Sequence, residues 1–144
     1  MIAIASDHGG YALKEAIKQH LNERNISYKD FGCFSEASID YPDMAKLACD
    51  AVVNGECEKA LLFCGTGIGI SMAANKVHGI RAACCSDYFS AKYTRLHNNA
   101  NVLCLGGRVV GAGLAVELVD IFLDTPFEGG RHQNRIDKIH ALEK

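Results

Sequence analysis

The sequence predicts an α/β fold in which a five-stranded parallel sheet is covered by helices on both faces. Two observations carry this. Short apolar β-type runs alternate with helical patterns five times in 144 residues, and parallel strands need such crossovers. The run Ala60-Leu-Leu-Phe-Cys-Gly-Thr-Gly-Ile-Gly69 also reads as strand, tight turn and helix start, a unit typical of such sheets.

Each element follows from its residues. Ile2–Ser6 is apolar and β-branched, the pattern of a buried first strand. A helical pattern of apolar residues follows over Tyr11–Glu23. Ser27–Phe31 is the second strand. Pro42 sits where a first helical turn tolerates it, so a helix runs over Tyr41–Asn54. Lys59–Cys64 is the third strand, and a helix over Ile68–Asn75 follows its glycines. Ile80–Cys84 and Asn101–Leu105 are the fourth and fifth strands, with helices over Asp87–His97 and Gly111–Leu123. Pro126 marks another boundary, and a last helix starts near Arg131 and runs to the C-terminus. No linker or repeat interrupts the pattern, so residues 1–144 are expected to form one domain.

Composition narrows the function classes. A net charge of −2 with no basic run argues against nucleic acid and anionic membranes as partners. No apolar stretch approaches the roughly 20 residues of a membrane span. Met1-Ile-Ala-Ile-Ala-Ser6 is too short and uncharged for a signal peptide and reads as strand. Seven cysteines, an odd number with no C-x-x-C pair, suit a reducing cytoplasm. They do not indicate a zinc site.

In a parallel sheet of this kind, ligands bind beyond the C-terminal strand ends. Three loops should meet there: Ser6-Asp7-His8-Gly9-Gly10, Cys64-Gly-Thr-Gly-Ile-Gly69 and Gly106-Gly107-Arg108. Asp7, His8, Cys64, Thr66 and Arg108 should therefore converge. Cys64 ends a strand beside bare N–H groups at a helix start, a setting that suits a thiolate base or nucleophile. It can equally be a buried strand-end cysteine beside a packing turn. Asp7-His8 can be an acid–base pair or anion holder, or Asp7 can be a helix N-cap. Arg131 and Arg135 lie four apart on one helix face, as a phosphate clamp or a solvated basic face.

His97 poses a geometric problem. A helix of about 11 residues runs back roughly 16 Å, which carries His97 to the sheet edge opposite Cys64. From geometry alone it is better read as a C-terminal cap than as part of a site in another subunit. Position 70 is Ile, which excludes a phosphatase C-x5-R loop from Cys64 and a G-x-G-x-x-G from Gly65. No P-loop sequence occurs.

Six runs together resemble the ribose-5-phosphate isomerase B family, which includes allose- and galactose-6-phosphate isomerases. They are Ile4-Ala-Ser-Asp-His-Gly-Gly10, Asp40-Tyr-Pro-Asp43, Cys64-Gly-Thr-Gly-Ile-Gly69, Ala73-Ala-Asn-Lys76, Arg95-Leu-His-Asn-Asn-Ala-Asn101 and Gly129-Gly-Arg-His132. The resemblance implies a Rossmann-like three-layer α/β/α sandwich with strand order 2-1-3-5-4. It also implies a homodimer with two shared sites, in some members a dimer of dimers. One branch of the family has a base cysteine at the third strand; the other has a glutamate six residues later. Cys64 and Ile70 match the cysteine branch.

Carried onto this chain, the resemblance makes Cys64 the base that moves a proton between C1 and C2. Thr66 and the N–H groups of Gly67, Ile68 and Gly69 hold the enediolate, and Gly65 also binds substrate. His97 of the partner subunit assists ring opening with Asp7 across the sugar, which replaces the cap reading. Asn98 binds substrate oxygens; His8, Arg131 and Arg135 hold phosphate, with Arg108 contributing. No cofactor or metal is implied. The expected reaction is ribose 5-phosphate to ribulose 5-phosphate. A 6-phosphohexose substrate, or a non-catalytic sugar-phosphate-binding module, is the alternative.

Overall fold

The computed structural model describes residues 1–143. The chain runs β1 (Ile2–Ser6), α1 (Tyr11–Glu23), β2 (Tyr28–Asp30), α2 (Tyr41–Val53), β3 (Lys59–Cys64), α3 (Ile68–Ala74), β4 (Ala82–Cys84), α4 (Tyr88–Asn98), β5 (Val102–Gly106), α5 (Ala112–Asp124) and α6 (His132–His140). The strands form one sheet, order β2-β1-β3-β5-β4, and every neighbouring pair is parallel. The expected α/β sandwich and strand order are therefore observed. Among the described residues, no helix is long and apolar enough to cross a membrane.

The period-two alternation of the strands divides the core. Ile2, Ile4, Leu61, Phe63, Leu103 and Leu105 face α1 and α5, where Ile17, Leu21, Leu118 and Phe122 meet them. Ala3, Ala5, Leu62, Cys64, Val102 and Cys104 face α2 and α3, against Ala45, Ala48, Cys49 and Ile70. Small strand residues on the second face let those helices approach closely.

Most element ends shift by a residue or two from the sequence reading. β4 starts at Ala82 because the N–H of Ile80 closes a turn onto the Val77 carbonyl (3.1 Å). Asp87 lies outside α4 as its N-cap, accepting from the Ser90 N–H at 2.7 Å. α6 stops at His140, short of the expected C-terminus. Beyond it the Glu143 carboxylate accepts from the Gly79 N–H at 2.9 Å, which ties residue 143 to the turn before β4.

One buried charge fixes the loop under the first strand end. Lys14 is fully buried on the inner face of α1. Its ammonium donates to both Asp30 carboxylate oxygens (2.7 and 2.8 Å) and to the Cys33 carbonyl. Lys18 donates to the same carboxylate at 2.8 Å. The segment so held pairs with Ser6: the Ser6 N–H donates to Gly32 O (2.7 Å), and the Cys33 N–H donates to Ser6 O (2.8 Å). Burial alone would raise the Asp30 carboxyl, but the hydrogen bonds from Lys14 and Lys18 outweigh it and hold it below its ordinary value. A lowered folded value gives stability above the ordinary carboxylate range and loses it as pH falls through the lowered one. Asp30→Asn leaves Lys14 buried and uncompensated, so it should cost about 3–5 kcal/mol in urea unfolding at pH 7. The gap from wild type should narrow in acid. An unchanged midpoint at pH 7 would remove the pair from the stability of the fold.

Candidate active site

The three loops beyond β1, β3 and β5 are adjacent because those strands are neighbours. They are tied by backbone bonds. The Asp7 N–H donates to Phe63 O (3.1 Å), that of Gly107 to Cys64 O (2.8 Å) and that of Arg108 to Gly65 O (3.0 Å). Gly67 adopts φ +79°, and a Cβ there would lie 2.9 Å from the Leu105 carbonyl carbon. Only glycine fits this turn.

Within this frame Cys64 is 4% exposed. Its Sγ accepts from the Gly67 N–H at 3.1 Å. Thr66 is exposed, and its hydroxyl accepts from the Ile68 N–H at 3.1 Å. The N–H groups of Gly67 and Ile68 are thus engaged inside the loop. Gly69, at the second position of α3, lies where a helix gives its N–H no backbone acceptor. Asp7 is buried and accepts from the Gly10 N–H at 3.0 Å, closing the turn before α1. Gly10 itself is the N-cap, so Asp7 braces the loop and does not cap the helix in the usual way. His8 is half-buried, and its Nδ1 accepts from the Ile39 N–H at 3.2 Å. A neutral imidazole then carries its proton on Nε2, a donor suited to an anion. The Arg108 guanidinium lies on this loop's own chain, with Nη1 3.2 Å from where a Gly65 Cβ would be.

A second group sits at the other edge of the sheet. α4 leaves the C-terminal end of β4 and ends beside Arg81, which immediately precedes β4. The Arg81 Nε–H donates to Asn99 O at 2.9 Å, and the Asn101 N–H donates to Arg81 O at 3.0 Å. His97 and Asn98 therefore lie at the N-terminal edge, away from their own Cys64. His97 is not the helix cap. Asn99 is, in the left-handed conformation, with its N–H donating to Thr94 O. The His97 ring stacks on His132 at 4.2 Å and meets Tyr93 edge-on at 5.0 Å. α6 packs against α4 and brings Arg131, its N-cap, and Arg135 to the same end. Both arginines are exposed, and neither forms an ion pair among the described residues.

The sequence profile described as Ribose/Galactose Isomerase matches residues 2–139. The chain belongs to that family. It is 48% identical to the ribose-5-phosphate isomerase B of Escherichia coli K12 over 99% of this chain and 96% of that one. The ribose-5-phosphate isomerase B structure from Clostridium thermocellum superposes with a TM-score of 0.97, at 50% identity, over 99% of this chain and 96% of that one. The crystal structure of the Mycoplasma genitalium ribose-5-phosphate isomerase B with bound ribulose 5-phosphate gives 0.93, at 47% identity, over 99% and 95%.

In this ribose/galactose isomerase the predicted site residues thus fall into two groups. Asp7, His8, the 64–69 turn and Arg108 meet at one edge. His97, Asn98, Arg131 and Arg135 meet at the other. Other thiols are shifted upward by their surroundings. Burial pushes Cys49 up to about 12 and Cys85 up to about 11, and drives Cys104 well above its ordinary value. Burial and the neighbouring Cys64 also raise Cys84.

Three residues near these groups were not singled out from the sequence. The Tyr41 ring covers the glycine turn: a Cβ on Gly69 would lie 2.7 Å from Tyr41 Cζ. Its signal was an aromatic at the first position of a proline-started helix, within a run already noted. Glu128 and His132 flank His97. Their four-residue spacing spans Gly129-Gly130, so helical periodicity could not pair them.

Proposed function

We propose that this chain interconverts ribose 5-phosphate and ribulose 5-phosphate through an enediolate, with Cys64 as the base. The observation that carries the reading is a strand-end thiol receiving an N–H from a glycine turn, in a family of sugar isomerases. The Cys64 thiolate takes the C2 proton of the open-chain aldose. The C–H electron pair forms the C1–C2 double bond, and negative charge moves to O1. Thr66 and the Gly69 N–H stabilise that oxygen. The thiol returns the proton to C1 while a proton passes from O2 to O1, leaving the C2 ketone. No net acid or base is consumed.

The two half-sites are united in a homodimer. Each Cys64 group then faces His97, Asn98, Arg131 and Arg135 of the partner subunit. Apolar exposure around the free edge of β4 supports this: Ile68 (51%), Met72 (65%) and Phe89 (66%) stand out of α3 and α4 on its two sides. The partner's His97 passes a proton to or from the ring oxygen during opening, with Asp7 across the sugar. His8 and the partner's arginines hold the phosphate, a handle whose binding energy fixes C1 and C2 against the sulfur. Seven free thiols, six of them buried, fit a cytoplasmic setting.

The test is interconversion followed by NMR on purified protein, with ribose, allose and galactose phosphates in parallel. Fastest turnover of ribose 5-phosphate is expected; preference for a hexose phosphate would move the assignment, and no turnover would overturn it. Arg135→Ala should raise KM for the sugar phosphate by about 10- to 100-fold, the scale of a charge-assisted hydrogen bond, with kcat less affected. Inorganic phosphate should inhibit the variant correspondingly less. Equal phosphate inhibition of both proteins would place the phosphate elsewhere.

A further inference from the structure

Beside His97 lies a group the proposed reaction does not use. His132 is buried, and its Nε2 has no hydrogen-bond partner among the described residues. The Glu128 Oε1 is 3.6 Å away, beyond hydrogen-bond reach. The other oxygen of that carboxylate lies 3.9 Å from His97 Nε2. The two imidazoles stack almost parallel, 15° apart, so both turn an Nε2 edge to one carboxylate. One ligand-type atom from each of the three residues lies within 4.8 Å of the others.

A buried ring nitrogen without a partner is costly, and native proteins rarely leave one so. Two imidazoles and a carboxylate are also the three-ligand set of an open tetrahedral site. We propose that His97, Glu128 and His132 bind a divalent cation of the zinc class, and that the bound cation inhibits the enzyme. Imidazole ligands favour zinc-like ions over magnesium or calcium.

Ligand bonds of about 2.0–2.2 Å in a tetrahedron place ligand atoms about 3.4 Å apart. The observed separations must close, and the exposed His97 ring must turn out of its 15° stack so that both nitrogens point at one ion. His132 is the fixed anchor, at the buried start of α6. His97 and Glu128 can close on it, because their side chains are 38% and 53% exposed. The Glu128 backbone is already placed, its N–H donating to Leu96 O at 3.1 Å. A cation here takes the nitrogen that His97 would present to the sugar. The inhibition rests on the proposed role of His97; the binding does not.

Cobalt(II) is the probe, titrated into the full-length wild-type protein. One cobalt per chain is expected, with visible d–d absorption, no sulfur-to-cobalt charge-transfer band in the near ultraviolet, and displacement by zinc. Glu128→Gln, at an exposed side chain, should bind at least about tenfold more weakly. Zinc should stop turnover of ribose 5-phosphate, a chelator should restore it, and Glu128→Gln should need correspondingly more zinc. A charge-transfer band, which would move the metal to Cys64 or Cys84, overturns the site. So does absent binding, or equal affinity in Glu128→Gln. Cobalt held by nitrogen and oxygen with turnover intact overturns the inhibition. Metal-free wild type without turnover would count against the proposed reaction, while the cobalt titration still decides the site.

Discussion

Replacing Cys64 by alanine is expected to lower kcat at least about 100-fold, the usual scale for removing a general base, with KM little changed. The substitution removes one sulfur and its 3.1 Å contact with the Gly67 N–H. It leaves the backbone ties of the loop in place, since Gly107 and Arg108 bond to the carbonyls of residues 64 and 65. The phosphate handle is untouched, so ground-state binding should survive. Alanine at Cys49, Cys85 or Cys104 provides the control. Those thiols are held protonated by burial, and losing them should affect stability more than turnover. Steady-state kinetics beside urea unfolding separates the two effects. Near-normal turnover by folded Cys64→Ala would remove the thiol from the chemistry.

The group around Cys64 was legible because its logic is local. An apolar strand, a glycine turn and a parallel crossover put Asp7, Cys64 and Arg108 at one sheet edge by rule, and the backbone ties among their loops realise it. What remained hidden depends on contacts between distant segments. Lys14 shares the helical period of Ile17 and Leu21, but nothing in sequence marks Asp30 as its partner, sixteen residues away. The strand order came from family resemblance, since alternation of strands and helices is compatible with several orders. The division of N–H groups in the 64–69 turn was equally out of reach. Which amides meet Cys64 and Thr66 depends on the φ of Gly67. His97 was placed at the correct edge by helix length, yet its cap reading failed, because Asn99 takes the left-handed position. Asparagine tolerates that conformation better than histidine does as a continuing helical residue.

Mixing Cys64→Ala chains with His97→Ala chains should restore activity that neither variant has alone. The expectation follows from the placement of the two groups. Cys64 lies at the C-terminal edge of the sheet, in register with Gly106. His97 lies in the last turn of a helix anchored at Arg81 on the opposite edge. No loop returns it to its own thiol. In the proposed homodimer a two-fold axis would bring each group against its counterpart, twice per dimer. In a hybrid dimer one site collects both defects, and the other combines an intact Cys64 with an intact His97. Random exchange at equal amounts makes about half the dimers hybrids, each with one working site of two, so activity should rise towards roughly a quarter of wild type. Native mass spectrometry gives the hybrid fraction against which recovery is scaled. Recovery that tracks this fraction establishes that the site is shared. Abundant hybrids without recovery would mean that each chain builds its own site, and His97 would then have to reach Cys64 by a rearrangement of α4.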